Sequence, residues 1–520
     1  MVKPVESVVE VLRTETVDTT SAASETLVAQ NTDAGADSLR GELFFQQSLT
    51  QFRFLAFQNP GGGGGGGSTV DQGKVDAAVG LIQEKLDDSG LFDDVTHGEL
   101  QEIERAFAGL NPDEANAVFN RLSDDNLRKW VDELGSNGWF GTGGFDGGEK
   151  TRLFDMLAGK LDGNNLNRLA SHLGGDDLKA LGRSVAAHGS DAAKEAFVRA
   201  QAARAETDPA AAVAVAEVIG SMRNNPAALE RTLAGLSQSQ INKIVEGATQ
   251  ERWLANPMSG GATVFYDAAP LGRMLDAVAS VRNPSIKAAF FEPAAAQLKK
   301  IEDAGGTVET IGGIIYSKGD SVNQIRNGLT NILNSDTTGV VGALERSSRD
   351  GKGLTMYVKS MINGGQTQAL GEMIARLQTG NGKNENAVRR FGEVRTGSDG
   401  RPYYDNAENL GYFMGAVHAA VKDISGDRDK QANIIKNIFG AVLGAVGAKN
   451  PATGVVASAL NGLTSSVVDA VTDSLKNGDK DLLESLRELA FPRDGRGETY
   501  EGGAETAYDS AVGRVIDAHP

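Results

Sequence analysis

The 520-residue sequence contains no cysteine. Disulfides, thiolate nucleophiles and Cys-ligated zinc are therefore excluded. Aromatic residues are scarce, at 6 %, so the core cannot be built on large rings. Histidine occurs five times, at His97, His172, His188, His418 and His519. None of these forms an HExxH or another short metal-binding spacing, and all five are expected at surfaces or helix caps. Basic residues are in the minority, 51 Lys and Arg against 69 Asp and Glu, for a net charge of −18. Nucleic acid is not an expected partner, because phosphate binding needs a positive field. No uninterrupted apolar run reaches the about 20 residues of a membrane-spanning helix. The start of the chain lacks the basic stretch and apolar core of a secretory signal, and there is no GxSxG nucleophile elbow.

What is abundant is glycine, at 65 residues. With few aromatics and many small residues, packing is expected to rely on close helix–helix approach. Seven consecutive glycines, Gly61–Gly67, read as a flexible tether. They follow an aromatic patch of Phe44, Phe45, Phe52, Phe54 and Phe57 and a Ser/Thr-rich start. Residues 1–75 are expected to form a disordered leader.

From 76 to 255 the apolar pattern has the 3.6-residue period of helices. Asn111-Pro112, Asn225-Pro226, Asn283-Pro284 and Asn450-Pro451 each place an N-cap before a proline suited to the first helical position. Asn111 with Glu114, and Asp146 with Glu149, have the spacing of capping boxes. Three caps, Ser123, Asp162 and Ser237, are followed by apolar residues at the same offsets. These are Leu127, Trp130 and Leu134, then Leu166, Leu169 and Leu173, then Ile241, Ile244 and Ala248. The recurrence predicts an irregular array of helical hairpins with units of roughly 38 residues. Residues 256–490 read as a helical domain with a hairpin signal at 307–310 and 314–317 around Gly312-Gly313, and a turn at Asp399-Gly400. Residues 491–520 read as a loosely ordered tail. The fold class is thus all-α or nearly all-α: a helical-hairpin array followed by a helical C-terminal domain.

Two near-motifs carry no chemistry. In 143–151, GGFDGGEKT, Glu149 stands where a phosphate-binding loop needs glycine, so a plain interhelix loop is expected. Asp93, Gly98, Leu100 and Glu104 have EF-hand spacing, but Val95 and His97 take two ligand positions. No metal, cofactor or catalytic residue is assigned.

The most distinctive segment is 433–475. Ile435, Ile438, Phe439, Val442, Leu443 and Val446 form an apolar stripe, backed by small residues that include Gly440, Ala441 and Gly444. Beyond Asn450-Pro451, a second stripe runs through Val456, Leu460, Leu463 and Val467. The single charge between Asn437 and Val468 is Lys449. Such a hairpin is expected either to be buried, with Gly444 at a close helix contact, or to engage a membrane.

The Ser/Thr-rich start, the aromatic patch with its glycine tract and the acidic cysteine-free body together resemble proteins exported by Gram-negative bacteria through specialised secretion systems. Harpins are similar in composition, and the helical region resembles the carrier regions of polymorphic toxins. The resemblance implies export without a cleaved signal peptide. It also implies partners in the secretion machinery or a chaperone, and a protein target or membrane contact. A toxin with hydrolase activity in 256–500 and an intracellular, cytoplasmic helical scaffold are the alternative expectations.

Overall fold

The computed structural model describes residues 70–86, 95–135, 144–255, 262–304, 309–311, 314–316, 318–380, 387–449, 463–491 and 502–519. The chain divides into a unit ending at Gly66 and a unit Gly67–Pro520; the described residues all belong to the second. The expected leader and its glycine tract therefore lie outside them, up to residue 69.

The described residues are almost entirely helical, as the periodicity predicts. The first helices are α1 (Gln72–Leu86), α2 (His97–Ala108), α3 (Pro112–Arg121), α4 (Asp124–Gly135), α5 (Gly147–Lys160), α6 (Gly163–His172) and α7 (Gly175–His188). They continue with α8 (Asp191–Arg204), α9 (Pro209–Ser221), α10 (Pro226–Ala234), α11 (Gln238–Gly247), α12 (Ala269–Ser280), α13 (Pro284–Asp303) and α14 (Lys318–Ser335). Many of these helices open on a side-chain cap. Asn111 and Glu114, and Asp146 and Glu149, form reciprocal capping boxes, and Asn225 and Asn283 cap helices that open on proline. Asn450-Pro451 lies outside the described residues.

These helices stack. α3 packs on α1, α5 on α3, α7 on α5, α9 on α7, α12 on α9 and α14 on α12, while α6, α8, α11 and α13 form a second row beside them. The apolar residues after Ser123, Asp162 and Ser237 are all buried. The unit length is less regular than 38 residues, because α8 runs through the position where an intermediate cap would stand.

Two devices tie successive pairs together. The first is close approach at glycine. A Cβ at Gly182 in α7 would lie 2.5 Å from the Ala214 Cβ in α9, and one at Gly328 in α14 would lie 2.7 Å from the Leu275 Cβ in α12. The glycine content is in this sense a packing requirement. The second is a cationic clamp on the last carbonyls of a helix, which lack a full set of intrahelical donors; it occurs at three places. Lys160 Nζ donates to the carbonyls of Phe107, Ala108 and Leu110, at 2.9, 2.8 and 2.7 Å. Arg168 donates to Phe119 and Leu122, at 2.9 and 3.0 Å. Arg204 donates to Ala170 and Leu173, both at 2.6 Å.

One antiparallel hairpin interrupts the stack: β1 (Gln250–Ala255) pairs with β2 (Ala262–Asp267). The helical reading had extended to 255 and missed it. The expected hairpin around Gly312-Gly313 is present, as β3 (Glu309–Ile311) and β4 (Ile314–Tyr316), and the Asp399-Gly400 turn joins β5 (Arg395–Thr396) to β6 (Pro402–Tyr403).

The C-terminal part comprises α15 (Thr337–Ser347), α16 (Lys352–Asn363), α17 (Thr367–Thr379), α18 (Ala387–Phe391), α19 (Asp405–Ile424), α20 (Arg428–Lys449), α21 (Ser465–Asn477), α22 (Leu482–Ala490) and α23 (Gly503–Asp517). It is organised around α19, which is buried from Asn409 to Val421 and packs against α15, α16, α22 and α23. The expected loose tail needs correction: within 491–520, α23 is a helix whose Ala504, Tyr508, Ala511, Val512 and Val515 are buried. Gly411 and Gly415 leave room on α19 for it to dock.

Candidate functional site

α13 and α16 lie side by side and run the same way. Near the start of α16, Glu292 of α13 sits over the Gly353 backbone; near its end, Glu302 accepts the Ser360 hydroxyl at 2.5 Å. α14 flanks the C-terminal halves of both. The three helices enclose an open cleft of about 690 Å³, completed by Asp423 at the end of α19 and by His519.

The floor of the cleft is built around Arg326 of α14. Its residue is 6 % exposed, and three acceptors fix the guanidinium. Nε donates to Ser360 Oγ at 3.0 Å, Nη1 to Asn323 Oδ1 at 3.0 Å and Nη2 to Glu302 Oε1 at 3.0 Å. Gly364 lets the guanidinium lie against the chain, since a Cβ there would stand 2.6 Å from Nη1. Ile301, Val322 and Met356 supply apolar wall, and Lys299, Lys352 and Lys359 stand round the rim. The rim lysines pair with Asp303, Asp350 and Asp423 respectively. Two polar atoms of the lining residues are buried without a hydrogen-bond partner, Thr355 Oγ1 and His519 Nε2. Nothing in the sequence marks this cleft, whose residues come from five segments separated by irregular spacings.

A second group stands at the other end of α16. Burial, reinforced by the neighbouring Asp350, pushes the Glu292 carboxyl up to about 7; the Ser348 hydroxyl and the Gly353 N–H oppose the shift. Its Oε1 is buried and unpaired. Glu292 does not line the cleft.

The residues singled out in 433–475 divide into three sets. Ile435, Ile438, Phe439 and Val442 are wholly buried, where α20 packs on α17 and α21. Leu443, Leu463 and Val467 are half-buried against the same core. Val446, Val456 and Leu460 fall outside the residues whose side chains are described. Gly444 does not make the expected close contact: a Cβ there would meet nothing within 4 Å. The close approach is made by the facing helix, where a Cβ at Gly371 would stand 2.6 Å from the Ala441 Cβ. No helix among the described residues is long and apolar enough to cross a membrane.

The near-motifs resolve as capped helices. Lys150 pairs with Asp177 at 3.0 Å, and Glu149 is occupied by its capping box and by His97 at 3.2 Å. Gly98 and Leu100 lie inside α2, whose cap is Thr96, while Asp93 is outside the described residues. No group of three potential metal ligands occurs among the described residues. One histidine departs from expectation. His418 is 9 % exposed in α19, on the stretch that every neighbouring helix covers, and burial followed by Lys422 lowers its affinity for a proton.

No protein-family model matches the chain, and no curated protein matches it in sequence.

Proposed function

We propose that this chain is a non-enzymatic helical scaffold that acts through contact with other proteins, of the kind Gram-negative bacteria export through specialised secretion systems. The observation that carries the reading is the stack from α1 to α14, in which successive helix pairs are joined by glycine contacts and cationic clamps. Stacked pairs build long side faces whose area grows with the number of pairs, an architecture suited to engaging other chains. The export half rests on composition: the acidic, cysteine-free body and the Ser/Thr-rich start. Its partners are then the secretion machinery or a chaperone, and a protein target. The apolar segment around α20 is the part proposed for membrane contact.

The hydrolase alternative has one residue in its favour. Glu292, with a proton affinity near neutrality, has the value useful in acid–base catalysis. It faces Gly353, Ser348 and Asp350 rather than the cleft, which favours the scaffold reading.

The experiment is expression of a tagged copy in a Gram-negative host with an intact or disabled specialised secretion system, alongside a cytoplasmic marker enzyme. The protein should reach the medium only when the system is intact, without the marker. Retention in both strains overturns export and leaves an intracellular scaffold. Hydrolysis of any substrate in a general panel, abolished by Glu292→Gln, overturns the non-enzymatic reading. Failure to bind anionic liposomes at acidic and neutral pH removes the membrane contact.

A further inference from the structure

We infer that the cleft between α13, α14 and α16 is a binding site for a small organic anion, a carboxylate or phosphate monoester with an apolar body. This goes beyond the scaffold reading and stands whether or not the chain is exported.

Four observations converge on it. The first is volume: about 690 Å³ falls within the range of small-molecule sites, roughly 300–1,000 Å³. The second is charge. Four basic side chains, Lys299, Arg326, Lys352 and Lys359, gather in the lining, and each is balanced by one carboxylate, Asp303, Glu302, Asp350 and Asp423 respectively, so the site is locally neutral in a chain that carries −18 overall.

The third is the state of Arg326. A guanidinium has five N–H donors, and here three have named acceptors. Two remain, one on each terminal nitrogen, on a group that lines the cleft and is already held by its neighbours. Preorganisation of this kind removes an ordering cost from binding. The fourth is the pair of unpartnered polar atoms, Thr355 Oγ1 and His519 Nε2. A buried hydroxyl without a partner is unfavourable, and an acceptor entering the cleft relieves it. Ile301, Val322, Met356 and the lysine stems would face the apolar body of the ligand.

The three carboxylates that line the cleft do not compete for that place. Glu302 is held by Arg326 and Ser360, Asp303 by Lys299 and Asp423 by Lys359. Each lysine, with three donors, retains two after its ion pair.

The test is isothermal calorimetry on the full chain with phenyl phosphate, benzoate, inorganic phosphate, benzyl alcohol and benzamidine. Phenyl phosphate and benzoate should bind saturably, inorganic phosphate more weakly, and the neutral and cationic probes not at all. Gly364→Ala keeps every charge and suits the local backbone, φ −82°, but pushes the guanidinium off its seat. It should weaken phenyl phosphate about tenfold, and Thr355→Val should weaken it severalfold. Arg326→Lys retains the charge without the fork and should lose most of the affinity. No saturable binding of either aromatic acid overturns the proposal. So does benzamidine binding as tightly as benzoate, or affinity unchanged in both Gly364→Ala and Arg326→Lys.

Discussion

Gln238 donates from its side-chain Nε2 to the carbonyl oxygen of Ala289, at 3.1 Å. Ala289 lies four residues before Pro293, which sits inside α13 and has no N–H to return. The acceptor left free by the proline is thus satisfied from the neighbouring helix α11, a contact that also docks the two helices. Replacing Gln238 with Ala should destabilise the protein by about 0.5–1.5 kcal/mol. In a Pro293→Ala background the helix supplies its own donor, so the same substitution should become nearly neutral. A double-mutant cycle by urea denaturation measures the difference.

Glu292 makes stability depend on pH. Its carboxyl rises from an ordinary value of 4.5 to about 7 in the folded state. Below about 4.5 both states hold the proton, and the group's contribution is full. Between the two values the unfolded chain has released a proton that the folded chain keeps, so stability falls as pH rises. Above about 7 both states are ionised and the contribution is gone. The total change is at most about 3 kcal/mol. Glu292→Gln should flatten this slope and be more stable than the wild-type chain at mildly alkaline pH. Unfolding midpoints across the pH range give the comparison.

Two glycines of similar sequence setting should respond oppositely to alanine. A Cβ at Gly411 would overlap the Tyr508 carbonyl oxygen, whereas one at Gly444 enters open space. Gly411→Ala should destabilise the fold by about 1–3 kcal/mol by forcing α19 from α23. Gly444→Ala should be neutral or stabilising by up to about 1 kcal/mol, the helix preference of alanine over glycine. Thermal melts of the two variants separate these outcomes.

Arg168 serves the carbonyls of Phe119 and Leu122 and also Asp124, 2.7 Å away. Arg168→Ala should destabilise by about 1–3 kcal/mol, as expected for charge-assisted bonds. Hydrogen exchange should show the loss concentrated in the last turn of α3; a uniform change across the stack would contradict the clamp.

Local signals in the sequence were sufficient for the helices and their starts. Asn111, Asp146, Asp162 and Ser237 each cap a helix within three residues of themselves, so pattern alone finds them. β1 and β2 escaped because they interrupt a helical rhythm over only a few residues. His418 was misplaced because a lone polar residue does not reveal how many neighbours cover its helix. Gly444 and Gly371 show the same limit from the other side: a small-residue pattern indicates that some helix comes close, but not which glycine receives it. The cleft is illegible for that reason in stronger form, since Glu302, Arg326 and Ser360 meet only through the packing of α13, α14 and α16.

The clamps also set an order of events for a growing chain. Lys160, Arg168 and Arg204 serve carbonyls that precede them by 31 to 53 residues. A ribosome that has just released α3 has made its final carbonyls but not yet their donor. Until Arg168 emerges, water must occupy that place, and the helix end remains provisional. Each pair is thus finished by its successor, and a chain halted partway carries its least settled turn at the growing edge.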